Sequence, residues 1–311
     1  MLKRLTTLYL TNTYGVKIQT SNTKIQNLSF LSATFYLLLS ACYLYHGYMY
    51  LGIDIGGTKT LVACFDDKGN IVQQLKFPTS PDYEQFLKDL KTNVANLKNS
   101  SFSIASFGLP GSLNRQDGIL ISAGNLSWKN RSVKKDFTEV LGCPVLIEND
   151  AKMAGFSEAK LVADSYKKVL YITIGTGIGI AIIENGIIDI TKGDSGGKHI
   201  TLNHNGKQEE WEDFASGRAI VKQYGKKARD ITDAKIWQEI VNNLALGIKE
   251  LLAEIEPDAV IIGGGVGANF DKFGKLLGSK FDVPILKAQH PEEAVLYGCY
   301  ELARQRHENV N

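Results

Sequence analysis

Asp54 ends the apolar run "YLGID" and stands just before Gly56-Gly57, with Thr58 and Lys59 following. A carboxylate in that position can hold Mg2+ through water, and the glycines let backbone N–H groups approach anionic oxygens. The theme recurs in "ITIGTGIGI", at Gly175, Thr176, Gly177 and Gly179, and again at Gly263-Gly264-Gly265. Any one such turn is also read as a tight hairpin or a strand end, and Asp54 as a cap on its turn. Three in one chain, two with threonine beside glycine, point to a nucleotide.

A second chemical candidate is "IEND" at 147–150. A hydroxyl that attacks a γ-phosphate needs a carboxylate within hydrogen-bond reach to take its proton. Asp150 closes a strand and opens a helix, so it can face a cleft. A plain helix N-cap explains Asp150 equally, but not the adjacent Glu148 and Asn149. Other phosphate motifs fail on spacing: "GIDIGGTKT" is no Walker loop, and Ile180 stands where a dinucleotide fingerprint in "GTGIGI" needs its third glycine. "GGGVGA" at 263–268 satisfies G-x-G-x-x-A with Asp282 beyond it, which keeps an NAD enzyme as a distant candidate.

These residues must be held by alternating strands and helices. Apolar runs flank Gly56-Gly57 as a hairpin, and 69–79 adds a third strand. Ser80 and Pro81 predict a helix start, with Phe86, Leu87, Leu90, Val94 and Leu97 on its inner face. Strands follow at 103–109 and 142–149, and a helix follows Asp150. The second half repeats the theme with a hairpin at 167–189, a long helix through Ile236–Ile255, a strand at 258–263 and a helix from about Pro291 to Arg304. A glycine hairpin met twice implies two related α/β lobes with a cleft between them.

The 311 residues carry 35 basic and 33 acidic side chains. Residues 1–48 hold Lys3, Arg4, Lys17 and Lys24 and no acid, leaving the rest nearly neutral, which argues against a nucleic-acid surface. Cys42, Cys64, Cys143 and Cys299 form no CxxC pair and fit a reducing compartment. The apolar stretch at 28–45 is near the lower limit for a membrane span. It reads as a signal or anchor, as an organelle-targeting leader, or as sequence ahead of a working start at Met49.

"LGIDIGGTKT", "GLPGSLN", "NLSWKN", "IENDAKMAGFSEA", "ITIGTGIGIAII", "WEDFASGRAI" and "IIGGGV" occur in the order and spacing of the ROK family of sugar kinases, which the chain resembles over residues 49–304. The resemblance implies an α/β fold of two ribonuclease H-like (actin-like ATPase) lobes with an interlobe active-site cleft. Residues 49–149 plus 297–311 would form the small lobe and 150–296 the large one, with 1–48 as an extension. It also implies ATP and Mg2+, and a hexose. Gly56, Gly57, Thr58 and Lys59 would face the phosphates from one side and Thr176 and Gly177 from the other. Gly264 and Gly265 would lie along the adenosine. Asp150 would be the base, Asn149, His199 and Glu212 sugar ligands, and Gly111 a close backbone approach to the sugar.

Two departures stand out. No cysteine lies between Cys143 and Cys299, so the zinc loop common in the family is not expected. The family also carries Glu-x-x-His at the sugar, and counting back from His199 puts Gly196 at the glutamate, unless Asp194 substitutes through a shifted loop. The expected activity is phosphorylation of a hexose, glucose O6 by default, with N-acylmannosamine, fructose and allose open. A non-catalytic sugar sensor is the rival. The expected partners are the sugar, no nucleic acid, and a membrane only if 28–45 is an anchor; a homodimer is left open. The default location is the cytoplasm.

Overall fold

The computed structural model describes residues 48–98, 101–192, 194 and 196–308. The stretch at 28–45, and with it the question of an anchor or leader, lies outside them. Among the described residues no helix is long and apolar enough to cross a membrane.

β1 (Tyr50–Ile55), β2 (Lys59–Phe65) and β3 (Ile71–Pro78) form an antiparallel meander. Helix α1 (Tyr83–Ala95) then leads to β4 (Ile104–Leu109), which lies parallel to β1. An inserted antiparallel sheet of β5 (Ser112–Asn114), β6 (Ile119–Ala123) and β7 (Leu126–Arg131) follows, and then α2 (Val133–Leu141). β8 (Val145–Asn149) joins β4 in parallel and completes the order β3-β2-β1-β4-β8. The N-cap of α1 is Asp82, whose Oδ1 accepts the N–H of Gln85 at 2.7 Å, so the helix starts later than Ser80-Pro81 suggests. The Pro81 carbonyl is taken instead by Ser127 Oγ and Trp128 Nε1, which tie β7 to the start of α1.

Helix α3 (Asp150–Lys160) leads into a second sheet with the same plan. β9 (Lys168–Ile174), β10 (Ile178–Glu184) and β11 (Ile187–Ile188) are an antiparallel meander. A hairpin of β12 (Thr201–His204) and β13 (Lys207–Glu210), then α4 (Trp211–Ala215), α5 (Gly217–Tyr224) and α6 (Ala234–Ile255), precede β14 (Ala259–Gly263). Short helices α7 (Gly264–Gly267) and α8 (Gly274–Gly278) and strand β15 (Ile285–Lys287) follow, before α9 (Ala294–Glu308). The order β11-β10-β9-β14-β15 repeats that of the first sheet.

Two-residue periodicity divides each sheet between two cores. Leu51, Ile53 and Ile55 face α1 and α2 with Phe86, Leu90 and Phe137, while Tyr50 packs with Leu296 and Tyr300 of α9. Leu170, Ile172 and Ile174 face α6 with Leu244 and Ile248, while Val169 and Tyr171 pack with Ala154 and Ala159 of α3. Each crossing helix therefore packs on the sheet it does not follow in sequence. α3 leaves the first sheet and covers the second; α9 leaves the second and covers the first.

Small residues make this exchange possible. A β-carbon built on Gly155 would lie 2.6 Å from Ala181 Cβ, and one on Gly108 would lie 2.3 Å from Val295 Cγ1. Where α3 and α9 cross, a β-carbon on Gly298 would lie 2.0 Å from the Met153 carbonyl oxygen. Ser157 Oγ donates to the Ala294 carbonyl at 2.7 Å, and Lys160 pairs with Glu301 on the outside. Gly298→Ala must push the helices apart and is expected to cost about 1–3 kcal/mol, as other overpacked cores do. A urea midpoint equal to that of the parent chain would contradict the crossing.

Candidate active site

The chemical residues sit where strands end. Asp54 is the fifth residue of β1, in register with Gly108 of β4, which is in register with Glu148 of β8. Gly108 has no side chain, which lets Val295 of α9 and the head of α3 pack against the row; a β-carbon there would lie 3.5 Å from Asp150 Cα. Burial raises the Asp54 pKa to about 7, the nearby Asp150 adds to it, and Lys59 opposes it. Burial also raises Asp150 to about 6, offset by backbone N–H groups that include Ala151 N at 2.8 Å. Near neutrality Asp54 is therefore part-protonated, whereas Asp150 is mostly ionised and more basic than an ordinary carboxylate.

Asn149 caps α3, its Oδ1 accepting the Lys152 N–H at 3.2 Å. Its Nδ2 donates to the Gly111 carbonyl at 3.0 Å, leaving the second N–H of that amide without a protein partner among the described residues. Gly111 has φ +96° and a built β-carbon would lie 2.0 Å from the Ser122 carbonyl oxygen, so only glycine fits. Gly56 donates to the Lys59 carbonyl at 3.0 Å to close the first turn, and Gly57, Thr58 and Lys59 are exposed beyond it. Asn125, quoted within a motif but given no role from the sequence, faces this turn: a β-carbon on Gly57 would lie 3.4 Å from its Cβ.

The second turn is built from distant pieces. Gly175 accepts the N–H of Gly217, which opens α5, at 2.8 Å, and a β-carbon on Gly217 would lie 3.5 Å from Val266 Cγ2 in α7. Thr176 is exposed at the tip, and β-carbons on Gly175 or Gly265 would meet nothing within 4 Å. Gly264 has φ +76° against Thr173 and Ile174. These backbones thus bound an open cradle that suits a nucleotide. Gly217 was legible only as part of "ASG".

Glu212, on α4, accepts the Ile178 N–H at 2.9 Å and lies against Gly177. Its other oxygen meets Arg218 at 3.3 Å and Lys198 at 3.8 Å. Ala151 packs on Gly179, so the start of α3 and Glu212 flank the same strand end. His199 is not brought to this place. It is exposed and lines a surface concavity with Glu250 and Glu254 of α6. The reason is the 3-10 turn Gly196–His199, which packs Gly197 onto Ile178 and carries its far end outward. Gly196 itself has φ +55°, and a β-carbon there would lie 2.0 Å from the Ile178 carbonyl oxygen. No glutamate fits at 196 without moving the loop.

Asp54 and Asp150 offer two hard oxygen donors that suit Mg2+. Among the described residues no group of three or more His, Cys, Asp and Glu could hold a metal, so phosphate and water oxygens would have to complete such a shell.

Duplicated sheets, each opening on a hairpin with a glycine turn, and the neighbouring carboxyls of Asp54 and Asp150 belong to a two-lobed α/β kinase of the actin-like ATPase fold. The ROK family model matches residues 50–306, and the chain belongs to that family. It is 27% identical to a glucokinase of Streptomyces coelicolor over 82% of this chain and 97% of that protein. It is 26% identical to an N-acetyl-D-glucosamine kinase of Haemophilus influenzae over 82% of this chain and 99% of the other. A crystal structure of a ROK family glucokinase from Streptomyces griseus with glucose and AMPPNP superposes with a TM-score of 0.71 at 25% identity, covering 83% and 99% of the two chains.

A carboxyl whose folded pKa lies above its unfolded value favours the folded state below the unfolded pKa, and that advantage is lost as pH rises through the folded one. For Asp54 the window runs from its ordinary 3.8 to about 7. Asp54→Asn is therefore expected to melt higher than the parent at pH 8 and to lose that gain at pH 4. A melting temperature lowered at pH 8 would remove the assignment of a strained carboxyl.

Proposed function

We propose that this ATP-dependent sugar kinase transfers the γ-phosphoryl group to a hexose hydroxyl with Asp150 as general base, and that glucose O6 is the default acceptor. The observation that carries the reading is the Asp150 carboxyl at the head of α3, beside two open glycine turns, with its pKa raised to about 6. At neutral pH it is ionised yet still basic enough to accept a proton from an attacking hydroxyl.

Asn149 holds a neighbouring hydroxyl with its unused N–H, and Gly111 fixes that amide. Backbone N–H groups of the turns at Gly56-Gly57 and Gly175–Gly177 meet the phosphates, with Lys59 and Thr176 at their edges. Gly264 and Gly265 leave room for the adenosine. Asp54 would hold Mg2+ through water, and the ion would neutralise charge on the phosphates. Closure brings the small lobe, 49–149 plus 297–311, against 150–296 and removes water from the acceptor hydroxyl. Glucose and AMPPNP in the Streptomyces griseus enzyme support this donor and acceptor. Use of ATP supports a cytoplasmic location.

The relatives named above differ in their sugar, so the acceptor depends on the loop before His199, where this chain has Gly196. A coupled assay of ADP release over a hexose panel tests the reading, and glucose is expected to give turnover. Asp150→Ala should lower kcat by roughly 10²–10⁴-fold with circular dichroism unchanged. Turnover near the parent rate in that variant would remove Asp150 as base. The acid limb of kcat/KM should bend near pH 6, because protonation of Asp150 stops proton uptake.

A further inference from the structure

Beside the head of α3 lies a charged cluster with no part in the proton transfer above. Arg115, in the turn between β5 and β6, donates from Nε to Glu148 Oε2 at 2.8 Å and from Nη2 to Glu148 Oε1 at 2.5 Å. The same guanidinium donates from Nη1 and Nη2 to both oxygens of Asp194, at 3.0 and 2.9 Å. Asp194 Oδ1 also lies 3.4 Å from Nζ of Lys152, a fully buried side chain that donates to the Asp189 and Lys192 carbonyls. Two cations thus meet two carboxylates. Only a planar guanidinium bonds two carboxylates edge-on at once, so lysine cannot replace Arg115 in this role.

The connections matter more than the charges. Glu148 is the next-to-last residue of β8 in the first sheet and accepts the Asn149 N–H at 2.6 Å. Asn149 caps the helix that Asp150 opens. Asp194 belongs to the segment that follows β11 of the second sheet, and Lys152, in the first turn of α3, holds that segment by its carbonyls. One side chain therefore ties the inserted sheet of the first lobe to a loop of the second, at the carboxylate two residues before Asp150.

We propose that Arg115 and Asp194 form a clasp between the lobes, through which Arg115 acts as a positioning residue for Asn149 and Asp150 and sets the loop against which the sugar must fit. The proposal rests on the sugar-kinase reading above. With position 196 closed to any side chain and both Asp194 oxygens engaged by Arg115, the held positions of Asp189, Lys192, Asp194 and Gly196 select the sugar in place of a loop carboxylate.

The test uses the full chain with Asp194→Asn and Arg115→Lys, and Arg115→Met as the harsher change. With the hexose the parent turns over best, both mild variants should raise sugar KM by roughly tenfold to a hundredfold, as misplacement of the loop and of reacting groups does. The ATP KM should stay within about twofold, a split that general loss of folded protein would not produce. Hydrogen exchange in peptides covering 148–153 and 189–199 should rise together in either variant, with or without sugar. Folded variants with parental sugar kinetics, or with unchanged exchange in both segments, overturn the clasp. A parent chain that turns over no hexose overturns the sugar-kinase reading instead, and the exchange result then decides the clasp alone.

Discussion

Two helices cross with almost no room between them, and most of the molecule's arrangement depends on that contact. At Gly298 the backbone of α9 rides against the Met153 carbonyl of α3, so neither helix can shift without the other. Each also covers the sheet that the other follows in sequence. The head of α3 is therefore fixed where the two sheets meet, and that head is Asn149 and Asp150. A carboxyl placed there feels both sheets: the helix that carries it packs by Ala151 on Gly179 of the second, while the carboxyl of Asp54 approaches from the first.

The charged residues of the cleft fall into two kinds by how they are compensated. Glu148, Asp194, Arg115 and Lys152 satisfy one another, and Glu158 accepts two backbone N–H groups from 289 and 290. Asp54 and Asp150 lack such cations in contact, and burial raises both carboxyls. Paired groups hold shape, and unpaired buried carboxyls store a cost that a proton, a metal ion or an acceptor hydroxyl relieves. Asp150, two residues from Glu148, and Asp54, on a separate strand, thus differ from the paired acids through their surroundings.

Much of this was legible from residue types. Glycine turns after apolar runs marked both hairpins, and the polar end of "VLIEN" marked the head of α3, because local backbone needs and strand periodicity leave their trace in neighbouring residues. The cluster around Arg115 left none. Its partners lie 33 and 79 residues away, and an arginine in a surface-like turn carries no sign of that distance. The inserted sheet of β5 to β7 was missed for a similar reason, since its short strands lack a sustained alternation. His199 was placed by its resemblance alone, whereas a 3-10 turn anchored at Gly197 decides where it points. The start of α1 moved because Asp82 offered a carboxylate cap closer to the helix than Ser80.

The exchange of helices also fixes when the first sheet can finish. One face of β1, β2 and β4 is covered by Leu296, Tyr300 and Ala303, which pack on Tyr50, Ala63, Phe65 and Ile104. These partners are separated by almost the whole described chain. During synthesis the first lobe's strands leave the ribosome early, yet that apolar face waits uncovered until the second lobe and α9 have followed. The first lobe therefore cannot mature as an independent co-translational unit. Its exposed face is where a chaperone would find the nascent protein, and the last helix is the piece that ends that encounter.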